Sequence, residues 1–178
     1  MQLTTPRLVL RPLQRSDWPL WQQLHQDPAV MAYIGDIPDK KTLGEKFHAR
    51  ILSPQQPWHK EASQWLTFTI IEQASDTAIG FHGFFSHWSP YQQAELGFML
   101  DPAFQGQGYA LEASRAVIDF AFAHCHYHKL IATVTQGNAP SHGLLKKLGF
   151  ELEGVLKHNF RIAEQWVNDE KFALFNSD

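Results

Sequence analysis

A glycine-rich turn between a strand and a long helix is the segment of this sequence best suited to chemistry. From Gln105 to Ala110 the residues read Gln-Gly-Gln-Gly-Tyr-Ala. Gly106 and Gly108 carry no side chain where the backbone must turn and approach another group. The helix that follows leaves its first N–H groups without intrahelical partners, and its dipole adds positive charge there. The turn therefore predicts a seat for a phosphate or pyrophosphate.

Two other phosphate-binding motifs fit this turn poorly. The chain contains no Gly-x-x-x-x-Gly-Lys-Ser/Thr run, which a P-loop requires. A dinucleotide-binding fingerprint requires Gly or Ala at the sixth position counted from Gly106, and that position is Leu111. Such a fingerprint would also lie near the start of a βαβαβ half, whereas this turn falls past the middle of the chain. The alternative that remains is an ordinary helix start with two turn glycines.

Two further segments, read together with this turn, point to a family. Residues 138–150 read Asn-Ala-Pro-Ser-His-Gly-Leu-Leu-Lys-Lys-Leu-Gly-Phe, and residues 3–12 read Leu-Thr-Thr-Pro-Arg-Leu-Val-Leu-Arg-Pro. The Gln-x-x-Gly-x-Ala turn resembles the pyrophosphate-binding motif of the GNAT superfamily of acetyl-CoA-dependent N-acetyltransferases, and the Asn-x-x-Ser helix resembles its second motif. The N-terminal segment resembles the first strand of the ribosomal-protein N-terminal acetyltransferases (RimJ/RimL type). The resemblance covers essentially the whole chain.

The resemblance implies an α/β (α+β) fold. The GNAT fold is a mixed, mostly antiparallel sheet of six or seven strands, with splayed central strands and flanking helices. The residue pattern predicts strands at 7–13, 65–72, 79–86, 94–100, 130–135, 150–155 and 166–175. It predicts helices from Trp18 to before Asp27, at 30–34, after a cap at Thr42, at 109–123 and from Asn138 to Gly149.

The resemblance also implies which residues hold acetyl-CoA. Backbone N–H groups around Gly108 contact the phosphates, and the pantetheine arm pairs with the central strand where it splays. The side-chain amide of Asn138 holds the arm from the other side; the alternative for Asn138 is a plain N-cap before Pro140. The predicted cofactor-binding residues are Phe98, Met99, Leu100, Gln105, Gly106, Gln107, Gly108, Tyr109, Ala110, Asn138 and Ser141.

Acyl transfer to an amine also needs a base and an acid. Glu95 lies on the central strand near the expected splay and is the candidate base; the alternatives are a structural carboxylate at Glu95, or His158 as the base. Many family members place a Tyr acid four residues before the glycine that ends the second-motif helix, but this chain has Leu145 there. Ser141 is therefore the candidate that protonates or hydrogen-bonds the departing sulfur.

The acceptor is expected to be a primary amine. In the family, the first helices and the loop between the last two strands enclose the acceptor. The predicted acceptor-pocket residues are Trp21, Tyr33, His158, Phe160 and Trp166. The resemblance favours the α-amine of a protein N-terminus, of the ribosomal-protein type; a small amine or an antibiotic is the alternative acceptor. A non-catalytic acyl-CoA-binding sensor is the alternative from another class of protein.

Composition sets broader expectations. With 178 residues and 44% hydrophobic content, the chain suits a single domain over 1–178. A net charge of −3 without a basic run argues against nucleic acid, and no apolar stretch is long enough to enter a membrane. One cysteine, Cys125, and no secretory signal suggest the cytoplasm. The His-rich run 124–128 lacks a second ligand pair with zinc spacing, so no metal is expected.

Overall fold

A computed structural model describes residues 1–52 and 58–176 of the chain. Within them, eight strands form one sheet in the order β1-β2-β3-β4-β5-β6-β8-β7. The strands are β1 (Leu3–Thr4), β2 (Leu8–Pro12), β3 (Trp65–Glu72), β4 (Thr77–His87), β5 (Gln93–Leu100), β6 (Lys129–Thr135), β7 (Glu151–Ile162) and β8 (Gln165–Phe175). The helices are α1 (Trp18–Gln26), α2 (Pro28–Met31), α3 (Lys40–His48), α4 (Tyr109–Asp119) and α5 (Ala139–Lys147).

The sheet has two distinct faces because side chains alternate along each strand. Neighbouring strands run antiparallel except β5 and β6, which run parallel. On one face, called here the α4 face, Phe84 and Leu96 pack against Val117 of α4. On the other, called here the α1 face, Phe81 and Met99 pack against the residues of α1 and α3. Helices therefore cover both faces, and the core lies in two layers.

The predicted mixed, mostly antiparallel sheet with flanking helices is confirmed, with differences in detail. The helix predicted at 30–34 lies at Pro28–Met31, and the strand predicted at 150–155 runs from Glu151 to Ile162. The described residues hold eight strands rather than six or seven, because the two-residue β1 is too short to leave a periodic signal. The last turn of the predicted 109–123 helix is a π-helical segment, Phe120–His124. The third helix begins at Lys40, because the Asp39 carboxylate caps it by accepting from the Thr42 N–H, so Thr42 is not the cap.

None of the helices in the described residues is both long and apolar enough to cross a membrane.

A buried histidine links β4 to α4. His82 points into the α4 face, its Nε2 lies 2.8 Å from Ser114 Oγ, and its ring stacks on Phe98 with centroids 5.5 Å apart. The Nδ1 atom has no hydrogen-bond partner among the described residues. Burial lowers the pKa of His82 to about 3, because the protonated ring would carry charge without water or an anion nearby.

The stability of the fold should therefore fall in mild acid. Between pH 7 and pH 5 the unfolded imidazole, with a pKa near 6.5, gains a proton that the buried His82 ring does not. This difference lowers the free energy of unfolding by about 2 kcal/mol. Urea unfolding at pH 7, 6 and 5 measures it: His82→Gln should flatten the pH dependence, while His48→Gln on the exposed side of α3 should not. An unchanged slope for His82→Gln contradicts the assignment.

Candidate active site

The two central strands separate after a short stretch of pairing. β5 and β6 pair only through Gln93–Glu95 and Lys129–Ile131. Beyond that point β5 stays paired with β4 as far as Leu100, and β6 stays paired with β8 as far as Thr135. The facing edges of β5 and β6 therefore diverge into a wedge, with backbone groups of β5 left for another partner. The splay predicted from the sequence is confirmed.

The glycine-rich turn lies exposed at the start of α4. Gly106 and Gly108 have φ values of 74° and 83°, a region that side-chain-bearing residues rarely adopt. Gly108 is the N-cap residue of α4. Within residues 1–52 and 58–176, no acceptor takes a hydrogen bond from the backbone N–H groups of 106–111. The residues present therefore fit a pyrophosphate, with a row of free donors at the positive end of a helix.

The side chains of the turn brace it instead of pointing into the seat. Gln105 Nε2 donates to the carbonyl oxygen of Leu100 at 3.0 Å, which ties the turn to the end of β5. Gln107 Nε2 donates to the carbonyl oxygen of Ala103 at 3.0 Å. Tyr109 is buried in the core. The donors available to a phosphate at this turn are therefore backbone groups.

Arg7 stands beside the turn, a role that the sequence reasoning missed. Its Nη1 donates to the Gln107 carbonyl oxygen at 3.0 Å, and its Nε donates to Glu112 Oε2 at 2.7 Å. Its Nη2 lies 3.3 Å from the position that a Cβ on Gly108 would take. The guanidinium adds positive charge next to the free N–H groups. Only the tertiary contact reveals this, because Arg7 and the turn lie far apart in sequence.

Glu95 stands at the mouth of the wedge on the α1 face. Thr133 Oγ1, on β6 beyond the last paired residue, donates to Glu95 Oε1 at 2.7 Å. His87 Nε2 on β4 lies 3.7 Å from Glu95 Oε2. The carboxylate is about one-third exposed. A hydrogen bond from one diverging strand thus holds a carboxylate of the other across the gap.

An aromatic floor lies next to Glu95. Cross-strand pairing puts Trp65, Phe85 and Glu95 in one row on the α1 face. The Trp65 ring extends over Gly97, where an added Cβ would lie only 2.8 Å from Trp65 Cη2. The missing side chain of Gly97 therefore leaves room for the indole beside the wedge. Neither aromatic residue could be assigned to the site from the sequence, because strand register decides where each one lies.

The second-motif helix begins at the far end of β6. Asn138 caps α5 through its Oδ1, which accepts from the Ser141 N–H at 3.3 Å, and its Nδ2 has no hydrogen-bond partner among the described residues. The Ser141 hydroxyl likewise makes no hydrogen bond to any residue that the structure describes. Leu145 is fully buried in the core, so this position supplies no acid. Gly137, Asn138, His142 and Glu170 line a small cavity of about 120 Å³ there.

The predicted acceptor-pocket residues divide into two groups. Tyr33, Phe160 and Trp166 are 43%, 44% and 61% exposed, and they belong to the 32–37 loop and the β7–β8 hairpin. The loop docks on the hairpin, because the Ala163 N–H donates to Asp36 Oδ1 at 2.8 Å. Trp21 is only 2% exposed and packs in the core, so it is not a pocket wall.

Two remaining predictions concern His158 and metal. His158 is exposed on β7 at a φ of 49°, and its side chain makes no hydrogen bond within residues 1–52 and 58–176. It lacks the cross-strand contact that holds Glu95. Over the same residues, no group of three metal-ligating side chains comes together.

A splayed mixed sheet beside a helix start rich in free N–H groups defines the acyl-CoA-dependent acyltransferase class. The family model described as the acetyltransferase (GNAT) domain matches residues 7–151, and the chain belongs to this family. It is an acetyl-CoA-dependent N-acetyltransferase.

Relatives of similar sequence identity act on different acceptors. The chain is 27% identical to the ribosomal protein uS5-alanine N-acetyltransferase of Escherichia coli K12, over 100% of this chain and 92% of that protein. It is 26% identical to the spermidine N(1)-acetyltransferase of the same organism, over 93% of this chain and 84% of that protein. The fold matches the Vibrio cholerae spermidine N-acetyltransferase, solved with CoA and spermine, at a TM-score of 0.82 and 21% identity, covering 97% of this chain and 98% of that one.

Alanine at position 108 should weaken cofactor binding. Gly108→Ala forces a Cβ onto a left-handed residue and places it 3.3 Å from Arg7 Nη2, a strain of about 1–2 kcal/mol. We expect the Kd for CoA, measured by titration calorimetry, to rise about tenfold as the free N–H groups move. Gly44→Ala in α3, where a Cβ meets nothing within 4 Å, is the matched control and should leave the Kd unchanged. An unchanged Kd for Gly108→Ala would remove the pyrophosphate seat.

Proposed function

We propose that this enzyme transfers an acetyl group from acetyl-CoA to the α-amine of a protein N-terminus, with Glu95 as the general base. The observation that carries the proposal is the position of Glu95. Its carboxylate is held by Thr133 across the mouth of the wedge, on the face opposite α4. An amine that approaches from the α1 face meets this carboxylate next to the unpaired edge of β5.

The residues around the wedge divide the chemistry of transfer. Acetyl-CoA supplies the thioester when bound, its phosphates on the free N–H groups of the turn and its arm along Phe98, Met99 and Leu100. A β5 N–H in the wedge stabilises negative charge on the carbonyl oxygen. Glu95 takes the proton from the attacking amine, and His87, 3.7 Å away, gives that proton a route to solvent. Asn138 Nδ2 would hold the arm, and the Ser141 hydroxyl would hydrogen-bond or protonate the departing sulfur.

The exposed surface formed by the 32–37 loop and the β7–β8 hairpin favours a protein acceptor over a small acceptor in an enclosed pocket. The exposed aromatic side chains of Tyr33, Phe160 and Trp166 suit contact with a peptide chain. The uS5-alanine N-acetyltransferase of Escherichia coli is similar over the full length of this chain. The spermidine enzyme is nearly as similar, so polyamines are the competing acceptors in any test. The lone cysteine, Cys125, is free and buried, which suits the reducing cytoplasm expected from the sequence.

Removing the Glu95 charge should separate chemistry from binding. We expect Glu95→Gln to lower kcat about 10²-fold or more with little change in the Kd for acetyl-CoA, because the amide keeps the Thr133 contact but accepts no proton. Thiol release with a peptide acceptor measures kcat. Glu151→Gln, on exposed β7, is the control and should match the wild type. If His158→Gln loses more activity than Glu95→Gln, the base is His158.

A panel of acceptors tests the substrate class. Peptides with a free α-amine, the same peptides with an acetylated N-terminus, spermidine and an aminoglycoside are offered with acetyl-CoA, and product mass locates the acetyl group. The proposal requires α-amine acetylation with the largest kcat/KM among these acceptors. Faster turnover of spermidine would assign a polyamine instead. Acetyl-CoA binding without turnover of any acceptor would favour the sensor.

A further inference from the structure

Arg50 is a half-buried cation that has no anionic partner among residues 1–52 and 58–176. It follows α3 directly, and its Cζ lies 3.9 Å from the centroid of the Trp65 ring and 5.4 Å from that of Trp21. No described residue accepts a hydrogen bond from its guanidinium or forms an ion pair with it. A buried arginine is normally paired with a carboxylate, because an unpaired charge loses its hydration without compensation. The guanidinium thus keeps unused donors at the edge of an aromatic platform.

The surroundings of Arg50 make this part of the α1 face electropositive. Burial between the two indole rings lowers the pKa of Arg50 to about 10. Burial also lowers the pKa of His25, and the charges of Arg50 and Lys46 lower it further. His25 stacks on Trp21 and is neutral at pH 7. Arg50 is therefore a positive charge that no carboxylate of the described residues neutralises.

Arg50 and Glu95 share one face of the sheet. The Trp65 ring that Arg50 covers is paired through Phe85 with Glu95, and it lies over Gly97, the next residue on that face of β5. Glu95 and Gly97 are two residues apart on β5, about 6.6 Å along the strand, and Arg50 lies over the ring that covers Gly97. An acceptor with its amine at Glu95 can therefore extend over Trp65 toward Arg50.

This spacing favours an anionic group near the amine but not adjacent to it. The α-carboxylate of a free amino acid lies within about 4 Å of its own amine, too close to reach from Glu95 to Arg50. An extended peptide advances about 3.3 Å per residue, so the side-chain carboxylate of its second or third residue spans the distance. A polyamine would instead bring a second positive charge toward Arg50.

We propose that Arg50 binds a carboxylate of the acceptor peptide and so selects N-termini with Asp or Glu at the second or third residue. The inference rests on the proposed function, since it takes the amine to lie at Glu95. A guanidinium fork pairs with a carboxylate through two parallel hydrogen bonds, while the stacked Trp65 ring holds the fork in place. The competing explanation is that Arg50 only packs between two indoles.

Matched peptides separate the two explanations. Peptides with Glu at residue two or three are compared with the same peptides carrying Gln, and kcat/KM is measured for each. We expect the wild type to favour the better-placed Glu by about tenfold, and Arg50→Gln to reduce this preference to below twofold. Arg50→Lys should keep part of it, because a point charge remains without the fork. Lys41→Gln, on exposed α3, should keep all of it.

Several outcomes would overturn the inference. The inference is overturned if the wild type does not distinguish Glu from Gln at either residue. It is also overturned if Arg50→Gln slows both peptides equally, because that result is expected when Arg50 only packs between the two indoles. If no peptide is acetylated, calorimetric binding of the same peptides to the CoA-bound protein decides. Tighter binding of the Glu peptide that is lost in Arg50→Gln supports the anion site while overturning the proposed function. Equal binding overturns the anion site as well.

Discussion

The wedge between β5 and β6 is the constraint on which the rest of the site depends. Pairing ends after Glu95 and Ile131, although each strand continues and stays bonded on its outer side to β4 or β8. The sheet therefore stays continuous while its two inner edges expose backbone N–H and C=O groups. Left buried without a partner, each such group would cost about 1–3 kcal/mol. In an open wedge, water can hydrogen-bond to these groups, so the penalty is avoided. The same groups are then available to an extended ligand.

The phosphate seat is held in register with this wedge by two ties. Gln105 links the turn to the last carbonyl of β5. The first turn of α4 is tied to the N-terminal strands through Glu112, which accepts from Thr5 Oγ1 at 2.6 Å and from the Arg7 N–H at 2.9 Å. Burial would raise the pKa of Glu112, but these hydrogen bonds and the Arg7 charge lower it overall. The carboxylate thus stays ionised and holds Arg7 beside the seat.

Features of the fold and the site that depend on a few neighbouring residues could be predicted from the sequence, whereas features that depend on tertiary contacts could not. The turn around Gly108 and the Asn138 cap were predictable, because glycines and cap residues act within a few residues of themselves. The Thr133–Glu95 hydrogen bond was not, since it depends on where two strands part. Trp21 was misplaced because helical spacing does not tell a core-facing indole from a pocket-facing one. Arg50 left no signal, because its stacking on Trp65 joins α3 to β3 through tertiary packing.

Sequence identity does not decide between a protein N-terminus and a polyamine as the acceptor, and the electrostatics of the α1 face bear on that choice. The uS5-alanine and spermidine enzymes are similar to this chain to nearly the same degree, yet the second acts on a polycation. A second ammonium brought toward Arg50 would be repelled by its charge, whereas a carboxylate in the same place would be attracted. In the proposed scheme, the guanidinium over Trp65 is the group that separates acceptors which the shared transfer machinery would treat alike.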